Sequence, residues 1–263
     1  MIHFSCELCS NHNQSLERCH TLIDAAAAVG ATSVKLQLFR IAELYAPSVL
    51  AKRPELAART SQEMPLDWLA PIRAHCNKHS LLLGITPCYL GAVAQITPYV
   101  DYIKIAAYDA NWRALLDAAL ASGKPLVVST GLLNAYEIVQ LADHVGDQTL
   151  LHTVSMYPTP ASRANLARLT YLSTLGRRFG YSDHTGSAAV VRRAISHYGA
   201  TWIETHFDLA DGAGAETPHS WRPSALRVLV DEFRADEPWP SWECDERRYM
   251  RGRDGLRPRE EAR

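Results

Sequence analysis

Gly180-Tyr181-Ser182-Asp183-His184-Thr185, with its echo Glu204-Thr205-His206-Phe207, is the stretch whose reading decides the fold. A short apolar run precedes each histidine, Arg178 to Tyr181 in the first case and Ala200 to Ile203 in the second, and a helix-like segment, Ser187 to Tyr198, separates them. The order is strand, helix, strand, with a histidine at the end of each strand. Strands joined by a helical crossover run parallel, so their carboxyl ends lie side by side. His184 and His206 are thereby candidate ligands for one divalent cation, with the carboxylates Asp183 and Glu204 beside them. For either histidine alone, a structural role with ordinary hydrogen bonds is the plain alternative.

Outward from that unit the same alternation repeats. Strands are predicted at His3 to Leu8, Ser33 to Leu38, Leu81 to Thr86, Tyr102 to Ala106, Pro125 to Thr130 and Leu150 to Val154. Ser15 reads as an N-cap for a helix through Val29, with Gly30 as its stop, and Asn134 as the cap of a helix to Val145. Further helices are predicted at Pro65 to Lys78, Leu90 to Ile96, Asn111 to Ala121, Arg163 to Leu175 and Pro223 to Arg234, and Phe39 to Gln62 reads as a long connection. Strands alternating with helices argue for an α/β protein, a (β/α)8 TIM barrel over residues 1–235, whose active site sits at the carboxyl ends of the strands. Residues 236–263 read as a charged tail, with Trp239 and Trp242 as its packing points.

A length of 263 residues with 47% hydrophobic and 21% charged residues suits one barrel. A net charge of -1 gives no reason to expect nucleic acid or an anionic membrane as a partner. No run approaches the ~18 apolar residues of a membrane span, and Met1-Ile2-His3-Phe4 lacks the basic and apolar regions of a secretory leader. A cytoplasmic location is expected. Cys6 and Cys9 form a C-x-x-C, but no second ligand pair accompanies it, so reduced thiols are expected rather than a redox or zinc motif.

The strand ends carry a particular chemistry. Lys35 and Lys104 lie within predicted buried strands, where an unpaired ammonium is costly, so each asks for an anion. Thr86, Ser129, Ser155 and Ser182 add hydroxyls at the same level, Gln37 shares a face with Lys35, and Glu7 and Glu204 supply carboxylates. Cations and hydroxyls suit phosphate and carboxylate groups, histidines suit a metal, and carboxylates suit proton transfer. Structural pairing of Glu7 with one of the lysines is the alternative to catalysis.

Taken in order, Glu7-Leu8-Cys9-Ser10-Asn11-His12-Asn13, Lys35-Leu36-Gln37, Thr86-Pro87, Lys104-Ile105, Ser129-Thr130-Gly131, Tyr157-Pro158-Thr159-Pro160, Gly180 to Thr185 and Glu204-Thr205-His206-Phe207 resemble the sialic acid synthase family. The resemblance implies condensation of phosphoenolpyruvate with an aldehyde, a sugar or sugar-like acceptor, to a 2-keto-3-deoxy acid. It implies His184 and His206 as ligands of a divalent metal, Mn²⁺ or Mg²⁺ first, with Co²⁺ or Zn²⁺ as alternatives. Lys35, Thr86, Lys104, Ser129, Ser155 and Ser182 match the phosphoenolpyruvate site; Gln37, Asp109, Tyr157, Asp183, Glu204 and Glu216 stand near the acceptor; Glu7 matches the acid/base carboxylate. A homodimer is also implied.

This chain departs from the family pattern at Ala107, where a serine is expected, at Ser155, where an asparagine is expected, at Thr205 and at Glu216. Arg247 to Asp254 resembles the start of the linker to the family's antifreeze-like domain, and the expectation is a barrel without that domain. A metal-dependent aldolase or lyase on the same scaffold, and a non-catalytic binding protein that keeps the pocket, are the rival readings.

Overall fold

The computed structural model describes residues 2–234. Eight parallel strands close into a barrel in chain order: β1 (His3–Glu7), β2 (Ser33–Leu38), β3 (Leu82–Pro87), β4 (Tyr102–Ile105), β5 (Leu126–Ser129), β6 (Thr149–Thr153), β7 (Phe179–Asp183) and β8 (Trp202–His206). Closure comes from β1, which pairs with β2 on one side and β8 on the other. The helices are α1 (Leu16–Ala28), the short α2 (Ile41–Leu44), α3 (Pro47–Lys52) and α4 (Pro54–Ala58), then α5 (Leu69–Lys78), α6 (Ala92–Ile96), α7 (Arg113–Ala121), α8 (Ala135–Val145), α9 (Ala167–Ser173), α10 (Ala188–Ser196) and α11 (Pro223–Arg234).

Alternation along each strand divides the core in two. Outward residues such as Phe4, Cys6, Val34, Leu36, Leu83, Ile85, Ile103 and Ile203 meet the apolar stripes of the helices, among them Leu22, Ile72, Leu115, Ile138, Val191 and Leu229, in one continuous cluster. Each such side chain contributes about 1.5–3 kcal/mol by leaving water. Inward, Tyr102, Val127 and Leu151 form a second cluster with Trp202 packed against it.

The amino-terminal floor of the barrel is closed by polar groups that satisfy one another. The Tyr102 hydroxyl lies 3.0 Å from Ser5 Oγ and 3.2 Å from Ser33 Oγ, and His3 Nε2 lies 2.8 Å from Ser33 Oγ. The His3 ring stacks on Trp202 with centroids 3.5 Å apart. Gly84 makes this possible, because a Cβ there would stand inside the Tyr102 ring.

Ser15 and Asn134 cap α1 and α8 as the sequence predicts, Asn134 through a full capping box with Glu137. Elsewhere the elements differ in detail. β1 ends at Glu7, and Cys9 takes φ 42, a left-handed conformation that no strand continues through. The helix expected over Arg163 to Leu175 begins only at Ala167, after a 3₁₀ turn at Ala161–Arg163, because Asn165 takes φ 48. The connection Phe39 to Gln62 is filled by α2 to α4 and a 3₁₀ turn at Arg59–Gln62. Among the described residues no helix is long and apolar enough to cross a membrane. The expected tail, 236–263, with Trp239, Trp242 and the linker-like Arg247 to Asp254, lies outside the described residues.

Candidate active site

At the carboxyl ends of the strands the barrel opens into a cavity. Register explains its composition. Glu7 on β1 is the partner of Lys35 on β2 and of His206 on β8, and Ser182 on β7 is the partner of Glu204 on β8. Inward parity puts all of these side chains on the cavity side. Glu7, Lys35, Gln37, Thr86, Lys104, Ser129, Ser155, Tyr157, Ser182, His184, Glu204 and His206 line it, together with Ala106, Ala107, Tyr108 and Thr153.

Charges meet at the bottom of this cavity. Glu7 forms a buried ion pair with Lys35, and its second oxygen accepts the backbone N–H of Cys9 at 2.8 Å. Lys35 also donates to Thr86 Oγ1 at 3.1 Å. Lys104 donates to Ser129 Oγ at 2.6 Å and to the Ile105 carbonyl at 3.0 Å, whereas Glu204 lies 3.9 Å from both lysines. Lys104 thus has no carboxylate at hydrogen-bond distance. Burial lowers the pKa of Lys35 to about 8 and lowers that of Lys104. Burial would raise that of Glu204, but Lys104 and Lys35 outweigh it and hold the group at about 2. One Glu204 oxygen accepts from Ser182 at 3.0 Å, and the other, Oε2, is buried without a hydrogen bond.

Histidines gather at the β7 and β8 side. The Nδ1–H of His184 donates to the Val154 carbonyl at 2.6 Å, which leaves Nε2 with its lone pair. Burial, reinforced by His206, lowers its pKa to about 3, so the ring is neutral. The His184 and His206 centroids are 5.3 Å apart, and the Tyr157 ring lies 4.1 Å from His184.

Three sequence candidates do not line the cavity. Asp183 is on the outer parity of β7, where it accepts from Thr185 N, Thr185 Oγ1, Gly186 N and Trp221 Nε1. Its observed contacts fasten two loops, which corrects the expectation that it faces an acceptor. Asp109 sits half-buried after β4, and burial raises its pKa to about 6 against the pull of Lys104. Glu216 belongs to the loop after β8. Its Oε2 lies 2.7 Å from His206 Nδ1 and 3.4 Å from His219 Nε2, while Oε1 accepts the Cys9 thiol at 2.8 Å. Hydrogen bonds from His206 and His219 overcome burial and hold Glu216 well below the usual carboxylate range.

Sequence reasoning missed His219 and the Cys9 thiol. Neither lies on a strand, and only the closing of this loop over the β1 end brings them together. Asp208, fully buried, shapes that loop by accepting from Gly214 N, Thr217 Oγ1, Arg222 Nη1 and Arg18 Nη2. A divalent cation fits this side of the cavity, because His206, Glu216 and His219 bring nitrogen and carboxylate donors within 4.8 Å of one another.

A model of the NeuB family matches residues 22–238. The spore coat polysaccharide biosynthesis protein SpsE of Bacillus subtilis is 27% identical over 86% of this chain and 65% of its own length. The pseudaminic acid synthase of Helicobacter pylori is 30% identical over 81% of this chain and 67% of its own. The chain therefore spans about two thirds of the length of these relatives. A crystal structure of N-acetylneuraminic acid (sialic acid) synthetase from Leptospira borgpetersenii superposes with a TM-score of 0.81 at 25% identity, covering 95% of this chain and 92% of that one.

Proposed function

The chain belongs to the NeuB family, and on that premise we propose that it condenses phosphoenolpyruvate with an aldehyde, a sugar or sugar-like compound, to a 2-keto-3-deoxy acid and inorganic phosphate. The observation that carries this reading is Lys104, a buried ammonium whose donors meet a hydroxyl and a carbonyl but no carboxylate, beside Lys35 and a ring of hydroxyls. Such a site offers donors whose hydrogen bonds are not spent on a carboxylate, and a phosphate with an adjacent carboxylate can accept them.

Lys35, Lys104, Thr86, Ser129, Ser155 and Ser182 would hold phosphoenolpyruvate with its C3 toward the mouth. Gln37, Tyr157 and Glu204, which line the cavity, would orient the aldehyde. C3 bonds to the aldehyde carbon, whose oxygen takes a proton; water adds at C2 and gives up a proton, and the C2–O bond to phosphate then breaks as the new C2 hydroxyl loses its proton to the departing phosphate and becomes the keto group. Glu7, between Lys35 and His206 in register, is the carboxylate suited to move that proton. A divalent cation held at His206 would polarise the aldehyde carbonyl. The relatives named for pseudaminic and sialic acids favour an amino-sugar acceptor. The dimer implied by the resemblance belongs to the same proposal.

Calorimetric titration of metal-loaded protein with phosphoenolpyruvate tests it. Saturable binding is expected, weakened on the order of 100-fold in Lys35→Ala through loss of a charge-assisted contact. Absence of binding in the parent protein would sink the proposal. The reading left would be an aldolase that does not use phosphoenolpyruvate, which Ala107 in the cavity wall favours.

A further inference from the structure

Away from the cavity, α1 and α5 pack beside each other over Cys19, Leu22, Ile23, Ile72 and Cys76, and the seam between them carries a polar cluster that the condensation does not use. Helical spacing builds it. Residues four apart share a helix face, so His20 and Asp24 stand together on α1, while His75 on α5 stands with His79, the residue that caps that helix. His75 Nε2 and His79 Nε2 each lie 2.7 Å from the same oxygen, Asp24 Oδ1. Because α5 ends here, just before β3, the cluster lies on the amino-terminal side of the barrel, opposite the mouth.

Hydrogen bonds hold the resting arrangement. Burial would raise the pKa of Asp24, but the bonds from His75 and His79 outweigh it and keep the carboxylate ionised. A carboxylate on a helix surface needs one such partner, whereas here two imidazole nitrogens converge on one oxygen and a third ring backs them. His20 stacks on His75 with centroids 4.1 Å apart and planes 4° from parallel, which fixes the orientation of the His75 ring. Burial and the neighbouring His75 lower the pKa of His20, so the backing ring stays neutral and adds no repulsion to an incoming cation.

The spacing suits an ion. Both Nε2 atoms and a carboxylate oxygen lie within 4.8 Å of one another. Opening the two contacts to the roughly 3.3 Å that separates neighbouring ligands of a tetrahedral ion admits one, since its bonds are about 2.0–2.2 Å long. Asp24, with a side chain 51% exposed, has room to make that shift. The carboxyl end of α5 is also the negative end of its dipole, which favours positive charge beside His79.

We infer that Asp24, His75 and His79 form a metal site separate from the cavity, a two-imidazole, one-carboxylate clamp for Zn²⁺ across the seam of α1 and α5, with His20 as the residue that positions His75. Imidazole donors suit Zn²⁺ rather than Mg²⁺ or Mn²⁺, and water completes the coordination. A cation held by the folded chain and not by the unfolded one stabilises the fold. The site therefore fastens two neighbouring helices and takes no part in turnover.

The test is equilibrium dialysis of the full chain against Zn²⁺ with elemental analysis of the bound metal, and urea unfolding with and without Zn²⁺. His79→Gln keeps a hydrogen-bond donor for Asp24 and removes the ligand nitrogen, and Asp24→Asn keeps the shape and removes the charge. Each variant is expected to bind one equivalent less than the parent, through at least a tenfold loss of affinity at this site, and to gain less in urea midpoint from Zn²⁺. Metal-free midpoints show that the fold is kept, and the two variants, one on each helix, let either decide if the other does not fold. His206→Ala is expected to retain the equivalent held between the helices. Parent-level Zn²⁺ content in folded His79→Gln or Asp24→Asn would overturn the inference, as would loss of all bound Zn²⁺ in His206→Ala. Phosphoenolpyruvate is absent throughout, so failure of its titration and failure of this test are separate results.

Discussion

The floor and the mouth of the barrel are two levels of the same strands, and they solve the problem of inward polar groups in opposite ways. At the floor, Ser5, Ser33, Tyr102 and His3 spend their hydrogen bonds on each other, and Trp202 covers them. Two residues further along, β1, β2, β4 and β8 present Glu7, Lys35, Lys104 and Glu204 instead. There the pairing is incomplete, with Lys104 lacking a carboxylate at hydrogen-bond distance and Glu204 Oε2 without a partner. A closed network stabilises; an open one keeps its unspent interactions for a ligand.

The sharpest way to break this division is Glu7→Gln. Turnover is expected to fall on the order of 10²–10⁴-fold, the usual worth of a positioned acid/base group, with calorimetric phosphoenolpyruvate binding retained. Parent-level turnover would mean that this carboxylate is structural, like the floor hydroxyls. A tenfold effect is expected from pH. Lys35, lowered to about 8, loses its charge as pH rises through that value, so phosphoenolpyruvate affinity should drop about tenfold per unit above it. Stability takes the other sign: between about 8 and the ordinary 10.5 the unfolded chain binds a proton that the folded chain does not, so the Lys35 contribution favours folding as pH rises. Binding isotherms and urea titrations from pH 7 to 10 should therefore diverge. Gly84→Ala works at the floor, where the new methyl meets a Tyr102 ring held by two serines. A loss of about 1–3 kcal/mol in unfolding free energy is expected, with activity per folded molecule unchanged.

Much of the mouth was legible because a strand repeats every two residues. Lys35 and Gln37, or Glu204 and His206, had to share a face once one of each pair was inward. The same rule, applied to β7, excludes Asp183 from the face of Ser182 and His184, although it is the chain neighbour of both. His219 was illegible for a different reason. It lies on an aperiodic loop, and its position depends on Asp208, Asn11 and Trp221, contacts that span much of the sequence. The break at Asn165 was hidden because a positive φ leaves no mark in apolar spacing.

Asp208 has one more consequence. Its carboxylate is shared between Arg18 of α1 and the backbone of the loop after β8, and Arg18 also grips Asp211 and the Asn11 carbonyl. The loop after β8 and the segment after β1 are thus stitched by side chains where the peptide itself does not connect them. The barrel's seam is held by ion pairs as well as by the pairing of β1 with β8. A cut within Phe39 to Gln62 would remove none of these contacts.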